Sequence, residues 1–495
     1  MMDRVLPVHS RRRAPYVSAS RLIGRLLGAG REPETEPPPI APASAPRIGA
    51  RAAHPIAPAD QAAKASLQVT HPRIVRIARR PLEERISVVI PTKNGEAEGL
   101  NDTLRALRHQ RGAGDVEIVV VDSGSTDATL EIAGDWGATI VEIPPAEFNH
   151  GGTRNFGFDL AKGDLVAFTV QDAILGADDA LYELAKLVVD DPQVAVASVR
   201  QVPRATADLF ACWQHHSLFA GLGVQTRKGR VDPLRLRHLP GGERWRLGYV
   251  DDVFAIHRRE VFESLRYRTI EHAEDAEYGQ RVLESGRAVA FLGTRAVIHS
   301  HDRSDRYHLK NYYVSRMVMG PMLGDVDPTR WDKTRIGSFA ELVEGARAVY
   351  AGLNGLAASI ELEREHDLAA FRESLGVLLA HPAAGVAEAP AGSELAAVMD
   401  ALGEVAGSGA ADREAPDPSK FRLVYEWNVD NLLWPYLSTR YRKLDGMDLV
   451  QVLYKMFGCT LGADLANYVL APPVATDAGA LDRAIRAAIA EVGRG

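Results

Sequence analysis

Carboxylates and imidazoles at the carboxyl ends of apolar runs are where this 495-residue chain could do chemistry. The run GDLVAFTV leads into Gln171-Asp172-Ala173. A carboxylate after such a run has lost much of its water and needs a counter-charge, which in a phosphate site is Mg2+ or Mn2+. The competing reading is that Asp172 caps the next helix. Farther on, Glu274-Asp275-Ala276-Glu277-Tyr278-Gly279 opens a helical pattern, and RAVIHSH ends in His299-Ser300-His301. Acidic residues in a first helical turn complement the helix dipole. One aimed into a cleft could instead take a proton from a hydroxyl. Either imidazole could complete a metal site begun by Asp172.

Three further polar turns sit beside these. Pro91-Thr92-Lys93-Asn94-Gly95 follows the first apolar run, and Asp122-Ser123-Gly124-Ser125-Thr126-Asp127 follows the second. Neither is a G-x-G-x-x-G turn or a P-loop, which argues against dinucleotide dehydrogenases and P-loop ATPases. A strand-end carboxylate such as Asp122 can accept from a base imide or a ribose hydroxyl; Ser125 and Asp127, taken alone, read as helix caps. In Asn149-His150-Gly151-Gly152-Thr153-Arg154-Asn155, the glycines would let backbone approach a ligand. Arg154 offers a fork for a diphosphate oxygen, or else lies on a solvated helix face.

The elements that must position these turns are legible. ISVVIP from Ile86, VEIVVVD, ATIVEI, GDLVAFTV and QVAVASV are short apolar runs separated by helical patterns, the signature of βαβ units and a mainly parallel sheet. Ligands of such sheets bind at the carboxyl ends of the strands. GYVDDVFAIHR reads as a further strand, residues 274–286 as a helix, and AVAFLG and RAVIHSH as short strands. Residues beyond about 330 are helical in pattern, with a Gly/Ala/Pro-rich stretch near 381–420 that reads as flexible. The expected domains are therefore a disordered basic Pro/Ala-rich tail over 1–83, an α/β catalytic domain over 84–329 and a mostly helical region over 330–495. Tyr425, Trp427, Trp434, Tyr436 and Tyr441 form a dense aromatic group that suggests an interface.

Composition narrows the classes. With 46% hydrophobic and 25% charged residues the chain is ordinary globular protein, and no apolar run reaches the roughly 18 to 20 residues that span a bilayer. Two cysteines, Cys212 and Cys459, exclude a disulfide framework and a thiolate zinc cluster. The net charge of −7 divides into +8 for residues 1–85 (15 Lys and Arg against 7 Asp and Glu) and −15 for the rest. An acidic body makes a poor nucleic-acid binder. Eleven of the 28 prolines fall in residues 1–80, too little apolar surface to offset chain entropy. Within that tail, residues 19–28 place Leu22, Ile23, Leu26 and Leu27 on one helical face beside Arg21 and Arg25, a short interfacial helix or a frayed segment.

In this order, SVVIPTKN, VVVDSGSTD, NHGGTRN, TVQDA, EDAEYGQRVLESG and VIHSH resemble the motifs of the family 2 glycosyltransferases, most closely the rhamnosyltransferase-like subgroup, over roughly Ile86 to His301. The resemblance implies a GT-A fold and an inverting transfer of a sugar from a nucleoside diphosphate donor, dTDP-rhamnose or a UDP-sugar. The acceptor would be a hydroxyl of a glycan or lipid-linked molecule, as in cell-envelope polysaccharide assembly. It implies donor contacts from Pro91, Thr92, Asn94, Asp122, Ser123, Arg154, Gln171 and Asp172, a divalent metal (Mg2+ or Mn2+) on Asp172 and His299, and Asp275 as general base. Glu274 and His301 would support them. Gln171 stands where the family has the first Asp of its D-x-D motif, and Ser123 where it has a second Asp. Such an enzyme would work in the cytoplasm, with peripheral contact at the inner membrane face and room for self-association. The rival readings are a nucleotidyltransferase, which would normally carry a Gly-rich basic loop after the first strand, and a decayed transferase serving as a scaffold through its helical tail.

Overall fold

The computed structural model describes residues 81–324, 336–380, 393–407, 419–472 and 477–490. The expectations for the basic tail over 1–80, including its 19–28 island, lie outside the described residues, as does most of the 381–420 stretch.

Nine strands form one sheet: β1 (Ile86–Thr92), β2 (Glu117–Asp122), β3 (Thr139–Glu142), β4 (Leu165–Thr169), β5 (Ile174–Leu175), β6 (Val194–Val202), β7 (Arg227–Gly229), β8 (Phe254–Arg258) and β9 (Ala288–Ile298). Their spatial order is β3-β2-β1-β4-β8-β6-β9-β5, with β7 also beside β9. The parallel pattern expected from the sequence holds for β3-β2-β1-β4 and for β6-β9. Between them β8 runs antiparallel to both neighbours, so the sheet is mixed. Strands buried on both faces are continuous apolar runs, and β1 and β4 follow that rule at almost every position. Pro91 is tolerated near the end of β1 because the ladder to β4 already stops at Val89↔Phe168.

Helices cover both faces: α1 (Leu100–Arg108), α2 (Thr129–Asp135), α3 (His150–Leu160), α4 (Ala180–Val189), α5 (Leu209–Leu222), α6 (Gly241–Leu247), α7 (Glu274–Glu284) and α8 (Asp305–Leu323). One core lies under α1 and α4, with Ile86, Val88, Ile90, Leu104, Leu181 and Ile256 fully enclosed. A second, aromatic core on the other face joins Phe158, Phe168, Phe262, Tyr267 and Tyr278.

Two expected strands are revised. The segment read as GYVDDVFAIHR pairs only from Phe254, because the Asp251 carboxylate turns back to accept from the Val253 N–H at 3.1 Å and leaves Asp251 and Asp252 in a loop. AVAFLG and RAVIHSH are one strand, β9, whose register against β6 jumps between Val199↔Leu292 and Arg200↔Ala296. That irregularity bends the strand where the site begins.

The C-terminal helices are α9 (Phe339–Ser359), α10 (Leu368–Ala380), α11 (Leu395–Gly407), α12 (Ser419–Asn428), α13 (Trp434–Arg440), α14 (Gly446–Leu470) and α15 (Ala478–Ala490). They share a core with Phe210 and Trp213 of α5 and with Leu309 and Tyr313 of α8. Four of the five aromatics read as an interface, all but Trp427, belong to this core or pack against it. Tyr425 and Tyr436 are buried, Trp434 and Tyr441 pack against it, and the Tyr425 hydroxyl donates to the Leu453 carbonyl at 3.0 Å. The tightest joint is between α14 and α8: a methyl on Gly458 or Gly462 would overlap the main-chain carbonyl of Asp305 or Leu309, so only glycine permits this approach. Among the described residues no helix is long and apolar enough to cross a membrane.

Candidate active site

At the carboxyl ends of β1 and β2 the two turns are stitched together. Asp122, fully buried, accepts from Thr92 Oγ1 at 2.8 Å, from the Gly124 and Ser125 N–H groups at 2.9 and 2.8 Å, and from Ser125 Oγ at 2.5 Å. Its four acceptor positions are thus spent on holding the loop. Ser123 Oγ donates to the Thr92 carbonyl at 3.0 Å. Asn94, in the left-handed region at φ 49°, receives the Thr126 N–H at 2.9 Å and gives its own N–H to Ser125 Oγ at 2.8 Å. Gln171 reaches across from the end of β4 and pairs with both main-chain groups of Lys93, at 2.9 and 3.1 Å. The amide at this D-x-D position therefore acts as a backbone clamp in this structure. Pro91 and Thr92 end β1 beside it.

Asp172 follows at once and is buried. His299 Nε2 and His301 Nε2 lie 3.6 Å from its two oxygens and 3.1 Å from each other. Asp172, His299 and His301 can each present one ligand atom to a common point. Two imidazole nitrogens that close, beside a carboxylate, repel through their lone pairs unless a proton or a cation lies between them. Burial, with His301 and His215 adding to it, depresses His299 to about 3, so this imidazole stays neutral, the form that can ligate a cation. The set fits a divalent cation, and two imidazoles with one carboxylate suit Mn2+ better than Mg2+, which prefers all-oxygen ligation. Arg204 braces Asp172 from behind, giving Nη2 to its carboxylate at 2.9 Å and to its carbonyl at 2.6 Å. A cavity of about 420 Å3 opens over the imidazoles, lined also by Gln201, His215, Arg303, Tyr307 and Asn311.

A second cavity, about 540 Å3, shares Tyr307 and Asn311 with the first. Five carboxylates line it: Asp251, Asp252, Glu274 and Asp275, and also Glu271, which is taken up by Arg486. Ala273 enters α7 at φ 59°, a left-handed conformation costly for alanine, and so aims Glu274 and Asp275. Ser315 of α8 hydrogen-bonds His272 at 2.7 Å and ties this turn to the cavity wall. Asp251 takes the Tyr249 hydroxyl at 2.6 Å and the Gln201 amide at 2.5 Å. Asp275 accepts the Ala276 N–H on one oxygen at 2.6 Å; its other oxygen has only a long contact, 3.3 Å, from the Asp252 N–H. Burial first, then Asp252, Glu274 and Asp251, push Asp275 well above the ordinary carboxylate range. Burial and Asp252 raise Glu274 to about 7, with Arg154 opposing.

Arg154 does not lie where a phosphate clamp was expected. Its guanidinium is buried beneath the acidic cluster, 3.0 Å from Asp252 and 3.5 Å from Glu274, and is not among the side chains lining either cavity. These two anions hold its charge against the cost of burial. Gly151 is small because the Arg268 carbonyl presses on it, which accounts for that glycine without a ligand.

Sequence reasoning missed Asp251, Asp252, Gln201, Arg204 and His215. Two adjacent aspartates inside an apolar stretch, V-D-D-V-F, were a readable signal; Gln201 and His215 carried none.

Two cavities adjoin at the carboxyl edge of a helix-flanked mixed sheet, one beside three residues that could hold a cation and one lined by clustered carboxylates. The glycosyl transferase family 2 model matches residues 87–266. The O-antigen chain rhamnosyltransferase WbaN of Salmonella anatum is 31% identical over 234 residues, 46% of this chain and 70% of that protein. The O-antigen chain rhamnosyltransferase RfbN of Salmonella typhimurium is 31% identical over 236 residues with the same coverage. A solved mannosyltransferase from Pyrobaculum calidifontis, in complex with GDP-Man and Mn2+, is 16% identical with a TM-score of 0.40, covering 77% of this chain and 89% of that one. The chain belongs to glycosyltransferase family 2, with rhamnosyltransferases of O-antigen assembly among its relatives. The nucleotidyltransferase reading falls with that membership.

Proposed function

We propose that this chain is an inverting glycosyltransferase that moves a rhamnosyl group from dTDP-rhamnose to a hydroxyl of a glycan or lipid-linked acceptor in cell-envelope polysaccharide assembly. The observation that carries the reading is the pairing of the Asp172–His299–His301 cluster with the Asp275 cluster across two adjoining cavities. The first cavity takes the donor diphosphate and the second the acceptor. The turns after β1 and β2 offer main-chain groups to the nucleotide, with Thr92, Asn94, Asp122, Ser123 and Gln171 fixing their shape. Asp172 and His299 hold the cation, with His301 beside them. Bound there, Mn2+ would neutralise charge on the departing diphosphate. Arg303, exposed on the rim of that cavity, adds a second positive charge.

Asp275 is assigned as the base because it lines the acceptor cavity from the first turn of α7, pairs with no cationic side chain among the described residues, and keeps one oxygen with only a long contact from the Asp252 N–H at 3.3 Å. Asp251 is taken up by Tyr249, Gln201 and Val253, while Asp252 and Glu274 hold Arg154. Its raised affinity for a proton suits removal of a hydroxyl proton, worth on the order of 10²- to 10⁴-fold in rate. Attack from the face opposite the diphosphate inverts the anomeric carbon. The 84–329 domain carries this chemistry, and among the described residues beyond it α14 and its neighbouring helices brace α8, which walls both cavities. The scaffold alternative predicts no turnover. The test is full-length protein with dTDP-rhamnose and Mn2+, following release of dTDP: turnover lost in Asp172→Ala and in Asp275→Asn supports the reading, and no turnover by the unsubstituted chain favours the scaffold.

A further inference from the structure

The two clusters are joined by one side chain. Gln201 leaves β6 two residues past the register jump and stands opposite Val297 of β9. Its amide nitrogen donates to Asp251 at 2.5 Å and its amide oxygen faces His299 Nδ1 at 2.9 Å. The direction of the amide follows from its partners. The Asp251 oxygen facing the amide also takes the Tyr249 hydroxyl, so the amide turns its NH2 there and its oxygen accepts the proton of His299 Nδ1. Tyr249 donates to the same Asp251 oxygen at 2.6 Å and, with the Val253 N–H at 3.1 Å, fixes the carboxylate. With its proton on Nδ1, His299 must present the lone pair of Nε2, the atom turned toward Asp172 and His301.

We propose that Gln201 is a positioning residue that sets the tautomer and orientation of His299 for cation binding and anchors that setting on Asp251, so that the carboxylate cluster of the acceptor cavity and the cation site of the donor cavity are energetically linked. The inference rests on the assignment of Asp172 and His299 as cation ligands. Asp251 touches neither of them, yet it controls the direction of the amide that does. Loss of the hydrogen-bonding partner of a ligating imidazole typically costs 10- to 100-fold in metal affinity.

The experiment measures Mn2+ affinity of the full-length protein without donor, from the paramagnetic resonance signal of free Mn2+. The variants are Gln201→Leu, Gln201→Glu, Asp251→Asn and Asp172→Ala, with thermal midpoints recorded for each. Gln201→Leu removes both hydrogen bonds and should weaken Mn2+ by about 10- to 100-fold. Gln201→Glu keeps an acceptor for the Nδ1 proton and should stay within about threefold of the parent, although it repels Asp251. Asp251→Asn no longer dictates the amide direction and should weaken Mn2+ several-fold from outside the ligand set. Unchanged affinity in Gln201→Leu, with binding lost in Asp172→Ala, overturns the proposal and leaves the cation site standing. Equal losses in the Leu and Glu variants overturn it too, because the residue would then act through packing. No Mn2+ binding by the unsubstituted chain removes both the cation site and the link built on it.

Discussion

Replacing Glu274 by glutamine should stabilise this protein at alkaline pH. Glu274 is buried among Asp252, Asp275 and the Arg154 guanidinium, and its pKa rises from 4.5 to about 7. Tenfold in a proton equilibrium is worth about 1.4 kcal/mol, so ionising Glu274 in the folded chain costs up to about 3 kcal/mol. The sign follows from the order of the two values. The folded chain holds this proton more tightly than the unfolded one, so the penalty is absent below pH 4.5, grows between 4.5 and 7, and is complete above 7. Glutamine cannot ionise, and the rise to about 7 already includes the attraction of Arg154 3.5 Å away. The net gain is therefore up to about 3 kcal/mol at pH 8 and disappears toward pH 4.5. Urea midpoints of parent and variant, measured at pH 8 and pH 5, read this directly. A variant less stable than the parent at pH 8, by more than at pH 5, would show that the Arg154–Glu274 pair is a net stabiliser and refute the electrostatic account of the cluster.

Asp275→Asn should lower kcat by about 10² or more with donor affinity unchanged, and parent kcat/KM should fall with decreasing pH through a value well above the usual carboxylate range, as the base takes up its proton. Steady-state kinetics over pH check both, and near-parental transfer by Asp275→Asn would move the base elsewhere. Gly462→Ala sets a methyl against the Leu309 carbonyl and should force α14 from α8, costing about 1 to 3 kcal/mol. The thermal midpoint reads that loss, and KM for acceptor should rise because α8 walls the acceptor cavity.

The fold was legible where one physical signal dominates. Buried strands such as ISVVIP and LVAFT are continuous apolar runs, and helix α7 begins where its acidic first turn says it should. The cation cluster was legible in part: a carboxylate and two imidazoles stand at strand ends, but only the fold shows both imidazoles converging on Asp172. Arg154 was misplaced because its type and flanking glycines fit a phosphate clamp equally well; its acidic partners lie about 100 residues away in sequence. In the aromatic group of the tail, Tyr425, Trp434, Tyr436 and Tyr441 serve the core, a use the sequence did not separate from an interface because a composition rich in Trp and Tyr suits both. Gln201 left no trace in the sequence, since its importance comes from the register jump in β6–β9 and from two partners supplied by other elements.

The central claim is that sugar transfer depends on a cation held by Asp172 and His299. Its most direct test is dTDP release from dTDP-rhamnose by the full-length chain in Mn2+, after chelation, and after Mn2+ is restored, with Asp172→Ala alongside. Turnover in Mn2+, loss in chelator, recovery on restoration and an inert Asp172→Ala are the predicted results. Undiminished turnover in chelator would contradict the claim and shift diphosphate neutralisation to Arg303 and main-chain N–H groups.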